Sequence, residues 1–222
     1  MTDLIETIRR TLVPIHKEGY PFILIGIVLT VLAGYFSQFF GWIFLILTLW
    51  VCYFFRDPER VTPVVDGLVV SPADGRVNLI ATVLPPPELD LPQVPTLRVS
   101  VFMNVFDCHV NRYPTDGTVA YRHYHPGEFG HAGAEKASLS NEQSSIGLAT
   151  AKGKVLVRQI AGLVARRIVT DHVPGQAVRQ GERLGMIRFG SRVDLFLPLG
   201  TRVLAHVGDT TRVGVTVVAE WS

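Results

Sequence analysis

The sequence predicts a mainly β protein: a β-sandwich or barrel-like catalytic domain behind an N-terminal apolar helical hairpin. Three observations predict it. Between Gly19 and Phe55 there is no charged residue, and Glu18 and Arg56 close the run. After Pro58, short β-branched runs alternate with Asp-Gly, Pro-Gly and single-Gly turn signals, the spacing of a sandwich or barrel rather than of βαβ units. The 20 glycines and 14 prolines among 222 residues are many for a helix bundle.

Residues 1–18 (MTDLIETIRRTLVPIHKE) read as a juxtamembrane segment, a short amphipathic helix with Ile5, Ile8 and Leu12 on one face. Residues 19–55 are too long for one span, since a single helix would reach about 55 Å against a hydrocarbon core of about 30 Å. Two arms, Pro21–Tyr35 and Trp42–Phe55, joined by a turn at Ser37–Gly41, fit better. Arg9, Arg10, Lys17, Arg56 and Arg60 flank the base and the tip carries no cation, so both ends and the following domain are expected in the cytoplasm, at the cell membrane. A cleaved signal peptide is a poor alternative, because the run is too long and ends in YFFRDPER, without small residues for cleavage.

Residues 56–222 form the β-rich domain. Its strand runs are GLVVSP, DGRVNLI, TLRVSVFMNV, DGTVAYRHY, VLVRQIAG, RRIVT, RVDLFLP, TRVLAHV and RVGVTVVAEW. PADGRV at 72–77 and PTDGTV at 114–119 look alike, with Asp-Gly as turn chemistry. LPPPELDLPQVP at 84–95 is an extended loop, and AEKASLSNEQS at 134–144 reads as a weak helix or a loop.

Composition narrows the function. A net charge of +2 argues against nucleic acid as a partner. Cys52 and Cys108 alone cannot make a disulfide framework or an all-cysteine zinc site. His123, His125 and His131 cluster, but no further ligand completes a zinc set at the usual spacing, so no metal is expected. His16, His172 and His206 read as surface residues.

The most informative stretch is GERLGMIRFGSRVDLFLP at 181–198, where an apolar run ends in Gly190-Ser191 and an alternating strand follows. A Gly-Ser pair alone reads as a turn. Its surroundings, with FRDPER at 55–60, SPADGRV at 71–77, FMNVFDCHVNRYPTDG at 102–117, HPGEF at 125–129, KASLSNE at 136–142 and QIAGLVARRIV at 159–169, resemble the short-form phosphatidylserine decarboxylases. These are pyruvoyl-dependent enzymes made as self-cleaving proenzymes.

The resemblance implies a cut at the Gly190–Ser191 bond into chains 1–190 and 191–222. Ser191 would attack the Gly190 carbonyl, and elimination and hydrolysis would leave a pyruvoyl group at residue 191, the cofactor. It implies decarboxylation of phosphatidylserine to phosphatidylethanolamine through an imine (Schiff base) with that group. The expected partners are the lipid substrate, the bilayer and the protein's own two chains as a heterodimer. A serine hydroxyl needs a base, and the resemblance gives Asp74 and His109 as the partners of Ser191. Asp107 and Asp194 are reserves for the acidic role. Long-form relatives carry a second histidine where this chain has Arg112, which leaves open whether His109 serves autocleavage, decarboxylation or both. Lys136, Arg166 and Arg167 are candidate phosphate binders. Two other classes compete: a membrane-anchored Ser/Lys protease using Lys17, Lys136, Lys152 or Lys154, and a lipoyl-like carrier suggested by VPGQAVRQGERLG at 173–185, which lacks the lysine such carriers modify.

Overall fold

The computed structural model describes residues 13–85, 94–127, 141–162, 167–188 and 191–221. The chain divides into two compact units, Met1–Glu59 and Arg60–Ser222.

In the first unit, helices α1 (Tyr20–Phe36) and α2 (Gln38–Phe54) follow a 3-10 turn at Lys17–Gly19. The expected hairpin is present, but its turn is tighter than the Ser37–Gly41 segment. Ser37 alone leaves the helical region (φ −160°, ψ 122°). Its N–H still closes on Ala33 O, and Gly41 N already donates to Ser37 O, so Gln38 starts the second helix at once. The arms meet along small residues: Gly34 faces Gly41, and the Thr30 and Thr48 hydroxyls lie 3.3 Å apart. Apolar side chains such as Leu24, Val31, Phe39, Trp42 and Ile46 are exposed. By length and composition Lys17–Phe36, with mean hydropathy 1.9, can cross a membrane, whereas Gln38–Phe54 is shorter. The base is closed by an Ile15–Arg56 bridge. His16, expected on the surface, is buried there, and its Nδ1 accepts from Glu18 N at 3.3 Å. Of the expected N-terminal helix, residues 1–12 lie outside the described residues and 13–16 are not helical.

The second unit is mainly β, as expected. Its strands are β1 (Leu68–Val70), β2 (Gly75–Val83), β3 (Thr96–Met103), β4 (Val110–Arg112), β5 (Gly117–His125), β6 (Gln143–Thr150) and β7 (Gly153–Ala161), followed by β8 (Ile168–Thr170), β9 (Ala177–Val178), β10 (Arg183–Ile187), β11 (Ser191–Pro198), β12 (Arg202–Val203), β13 (Thr210–Thr211) and β14 (Val217–Glu220). Eight form a curled half-barrel sheet in the order β13-β2-β3-β11-β7-β6-β5-β9, and two three-stranded sheets, β1-β14-β12 and β4-β10-β8, complete the unit.

The period-2 pattern explains the layering. Val99, Val101 and Met103 of β3, Val193, Leu195 and Leu197 of β11, and Val155, Val157 and Ala161 of β7 point one way into the main core. Each such valine or leucine contributes about 1.5–3 kcal/mol by leaving water. The intervening residues of the same strands include Ser100, Arg158, Arg192 and Asp194, which are buried on the opposite face. In β6 both faces are buried. Of the 134–144 segment, 134–140 lie outside the described residues, and Gln143 and Ser144 belong to β6, not to a helix.

The two look-alike turns have matching roles. Pro72–Asp74 leads into β2 and Pro114–Asp116 into β5. The turns are tied to each other's strands, since Val70 N donates to Pro114 O (2.9 Å) and Arg112 N to Pro72 O (3.1 Å).

Candidate active site

Antiparallel pairing brings the starts of β2 and β11 to the same end of the large sheet as the ends of β3 and β7. Ser191 opens β11, the strand flanked by β3 and β7, with Met103 and Ala161 as its register partners. Two residues before Val193, it shares the inward, core-facing side. Ser191 is fully buried, and its Oγ has no hydrogen-bond partner among the described residues. Gly190 lies outside the described residues.

Asp74 stands one residue before β2. Arg76, Phe102 and Arg192 share a row across three strands. Gly75 therefore falls beside Met103 and two strands, about 10 Å, from Ser191. Gly75 has φ 137°, and a Cβ there would lie 2.2 Å from Phe102 O, so no other residue fits this entry. The Asp74 carboxylate is fully engaged: Oδ2 accepts from Arg60 Nη2 at 2.8 Å and Oδ1 from Val213 N at 2.6 Å. Neither partner is His109.

His109 is also fully buried. Its main chain continues the β4–β10 ladder, with Ile187 N donating to His109 O (3.3 Å). Its Nδ1 lies 3.0 Å from Asp107 O. A carbonyl can only accept, so Nδ1 carries the proton and a neutral ring keeps Nε2 as its basic atom. The imidazole is thus oriented by a main-chain carbonyl. The Asp74 turn is nonetheless tied to the strand after His109 through the Arg112–Pro72 bond.

The remaining candidates separate cleanly. Asp194, three residues after Ser191, points to the opposite face and pairs with Arg192 at 2.9 Å, so the sheet itself divides it from the Ser191 hydroxyl. The Asp107 carboxylate accepts from Asn104 N (2.8 Å) and serves its own turn. Arg112 gives its guanidinium to Gly181 O (2.8 Å). Lys152 and Lys154 are exposed at the β6–β7 turn, more than about 20 Å along β7 from the Ala161 row, so they form no Ser/Lys pair with Ser191. Lys136 and Arg166 lie outside the described residues, and Arg167 is exposed. His172 is not a free surface residue: its ring packs edge-on against Tyr113 and its Nε2 lies 3.1 Å from Glu182 Oε1. Burial, then the Glu182 and Asp171 charges, push the Tyr113 hydroxyl well above the usual tyrosine range, so it stays protonated.

Sequence reasoning missed Asn111 and Gln159, both fully buried on the Ser191 side. The available signal was position: Gln159 stands in the inward series Val155, Val157, Gln159, Ala161, where an apolar residue is expected.

A buried hydroxyl at one end of the curled sheet, an ordered carboxylate two strands away and a buried imidazole with a defined basic nitrogen are the parts of an enzyme rather than of a carrier or adaptor. Comparison with known proteins agrees. The family model described as phosphatidylserine decarboxylase matches residues 47–219. A phosphatidylserine decarboxylase proenzyme of Xanthobacter autotrophicus is 52% identical over 220 residues, 99% of this chain and 94% of that protein. One of Azorhizobium caulinodans is 50% identical over 219 residues, again 99% and 94%. The chain belongs to the phosphatidylserine decarboxylase family.

Proposed function

We propose that this protein decarboxylates phosphatidylserine to phosphatidylethanolamine, using a pyruvoyl group that it makes from Ser191 by breaking its own Gly190–Ser191 bond. The observation that carries the reading is the buried Ser191 hydroxyl without a hydrogen-bond partner among the described residues, at the head of a strand paired on both sides. Burial without a partner costs free energy, so the serine is poorly explained as a structural residue. A ketone, which brings no donor of its own, fits that space at least as well.

The chain's residues divide the work as follows. The Ser191 oxygen attacks the preceding carbonyl carbon as His109 Nε2 takes its proton, and the proton passes to the departing amide nitrogen, leaving an ester. Loss of the Ser191 α-proton expels the Gly190 carboxylate, and water then replaces the nitrogen, which leaves as ammonia. Asp74, paired with Arg60 at 2.8 Å, orders the turn that leads into β2 and lends its field to the charged imidazolium. Chains 1–190 and 191–222 stay together because Ser191–Pro198 remains hydrogen-bonded to β3 and β7. When present, the pyruvoyl group supplies the electrophilic carbonyl that accepts the substrate amine and takes up the electron pair left by carbon dioxide. His109 then returns a proton to the product carbon. The apolar hairpin anchors the enzyme at the cytoplasmic side of the membrane, where a two-chain lipid resides, and so raises local substrate concentration.

Phenylhydrazine, which traps ketones, tests the reading on the purified protein. Treatment labels the 191–222 chain and abolishes carbon dioxide release from phosphatidylserine vesicles. Turnover that survives saturating reagent overturns it.

A further inference from the structure

Four polar side chains run through the core beside Ser191, and the mechanism above uses none of them. Gln159 Nε2 donates to Asn111 Oδ1 at 2.9 Å. Thr170 Oγ1 donates to Gln159 Oε1 at 3.3 Å, and Ser144 Oγ lies 3.0 Å from Thr170 Oγ1. Asn111 of β4 and Thr170 of β8 both pair with Gly185 of β10. Gly185 has φ 155°, and a Cβ there would lie 2.0 Å from Val169 O, so the position between them carries no side chain. Gln159 reaches from the large sheet and bonds both neighbours of that glycine.

Such a chain is costly in an apolar core unless its hydrogen bonds are made. One end is not. Asn111 Nδ2 has two hydrogens, and its partner is the Met103 sulfur at 3.7 Å, a weak acceptor. Met103 is the register partner of Ser191. The relay also fixes the direction of the amide: because Asn111 Oδ1 accepts from Gln159, the nitrogen faces Met103 and the Ser191 row. A donor engaged only by a weak acceptor is therefore held beside the one residue whose chemistry is expected to change.

We propose that Asn111, oriented by Gln159, is the hydrogen-bond donor to the ketone oxygen formed at residue 191. This rests on the pyruvoyl reading. A ketone oxygen only accepts, so a site built for it needs a donor, and a donor polarises the carbonyl toward attack by an amine. Preorganised donors of this kind are worth about 10²–10³ in rate.

The test uses the full-length chain carrying Asn111→Leu, Asn111→Asp or Gln159→Leu. The readouts are cleavage by intact mass, the phenylhydrazine trapping rate of the cut chain, and kcat and KM. Asn111→Leu is expected to be cut, to be trapped at least about tenfold more slowly, and to lose about 10²–10³ in kcat with KM within about threefold of wild type. Gln159→Leu moves the same quantities less. Asn111→Asp keeps the shape and loses the donor at neutral pH. Its trapping rate recovers on acidification, when the protonated acid can donate, and this variant decides the matter if Asn111→Leu does not fold. Cut variants whose trapping rate and kcat stay within about twofold of wild type overturn the assignment, as does a folded Asn111→Leu chain that stays uncut. If the wild-type protein itself carries no trappable ketone, the pyruvoyl reading fails first. If it does and the variants match it, only the role of Asn111 falls.

Discussion

Replacing Ser191 by alanine leaves a single uncut chain with no measurable carbon dioxide release from phosphatidylserine, a loss of at least about 10⁴-fold. The size follows from the proposed role, since the same oxygen starts the cleavage and its loss removes the only source of the ketone. The control is stability. The Ser191 hydroxyl makes no hydrogen bond among the described residues, so its removal deletes none. Substitutions that delete no bond and leave no large cavity cost little, and the uncut protein should melt within a few degrees of wild type. A Ser191→Ala protein that is cut at the same place, or that turns over lipid, contradicts the proposed source of the ketone.

His109→Ala is the second large effect. General acid–base catalysis by one placed side chain is worth about 10²–10⁴, and the imidazole is held so that Nε2 is the available base. The expected result is slowed cleavage, followed by accumulated cut chain whose turnover is lowered by a similar factor. Measuring the cut fraction by gel and turnover per cut chain separates the two steps. A variant cut at the normal rate and active within about tenfold of wild type removes His109 from the mechanism.

Much of the scaffold was legible because local pattern and tertiary need agree. Alternating valines and leucines in TLRVSVFM and SRVDLFLP mark β3 and β11, and the uncharged run from Gly19 to Phe55 marks the hairpin. Disagreement arose where burial overrides composition. QSSIGLAT is polar for half its length, yet both faces of β6 are covered, so propensity alone does not find it. Ser37, Gln38 and Gly41 are the turn-formers between the arms and so suggest a turn over Ser37–Gly41, whereas here Gly41 supplies close approach between the arms.

The site was less legible. Ser191, His109 and Asp74 come from a family resemblance; the structure sets Ser191 and the Asp74 turn at one end of the large sheet and buries His109 just before β4. What sequence cannot give is the direction of each side chain. Asp194 is three residues from Ser191 and on the wrong face, an odd offset that alternation alone would have revealed had Ser191 been placed on a strand. The carbonyl that orients His109 belongs to Asp107, and no side-chain pattern records a main-chain acceptor. Asn111 and Gln159 escaped because a single amide in an apolar run reads as an exception until its partners are seen.

The most direct measurement is the intact mass of the purified protein under denaturing conditions. The account predicts two chains, 1–190 and 191–222, the second lighter by one ammonia than a peptide beginning with serine. A single mass for the whole chain in a preparation that turns over phosphatidylserine, or a second chain with an ordinary serine amine at its head, contradicts it.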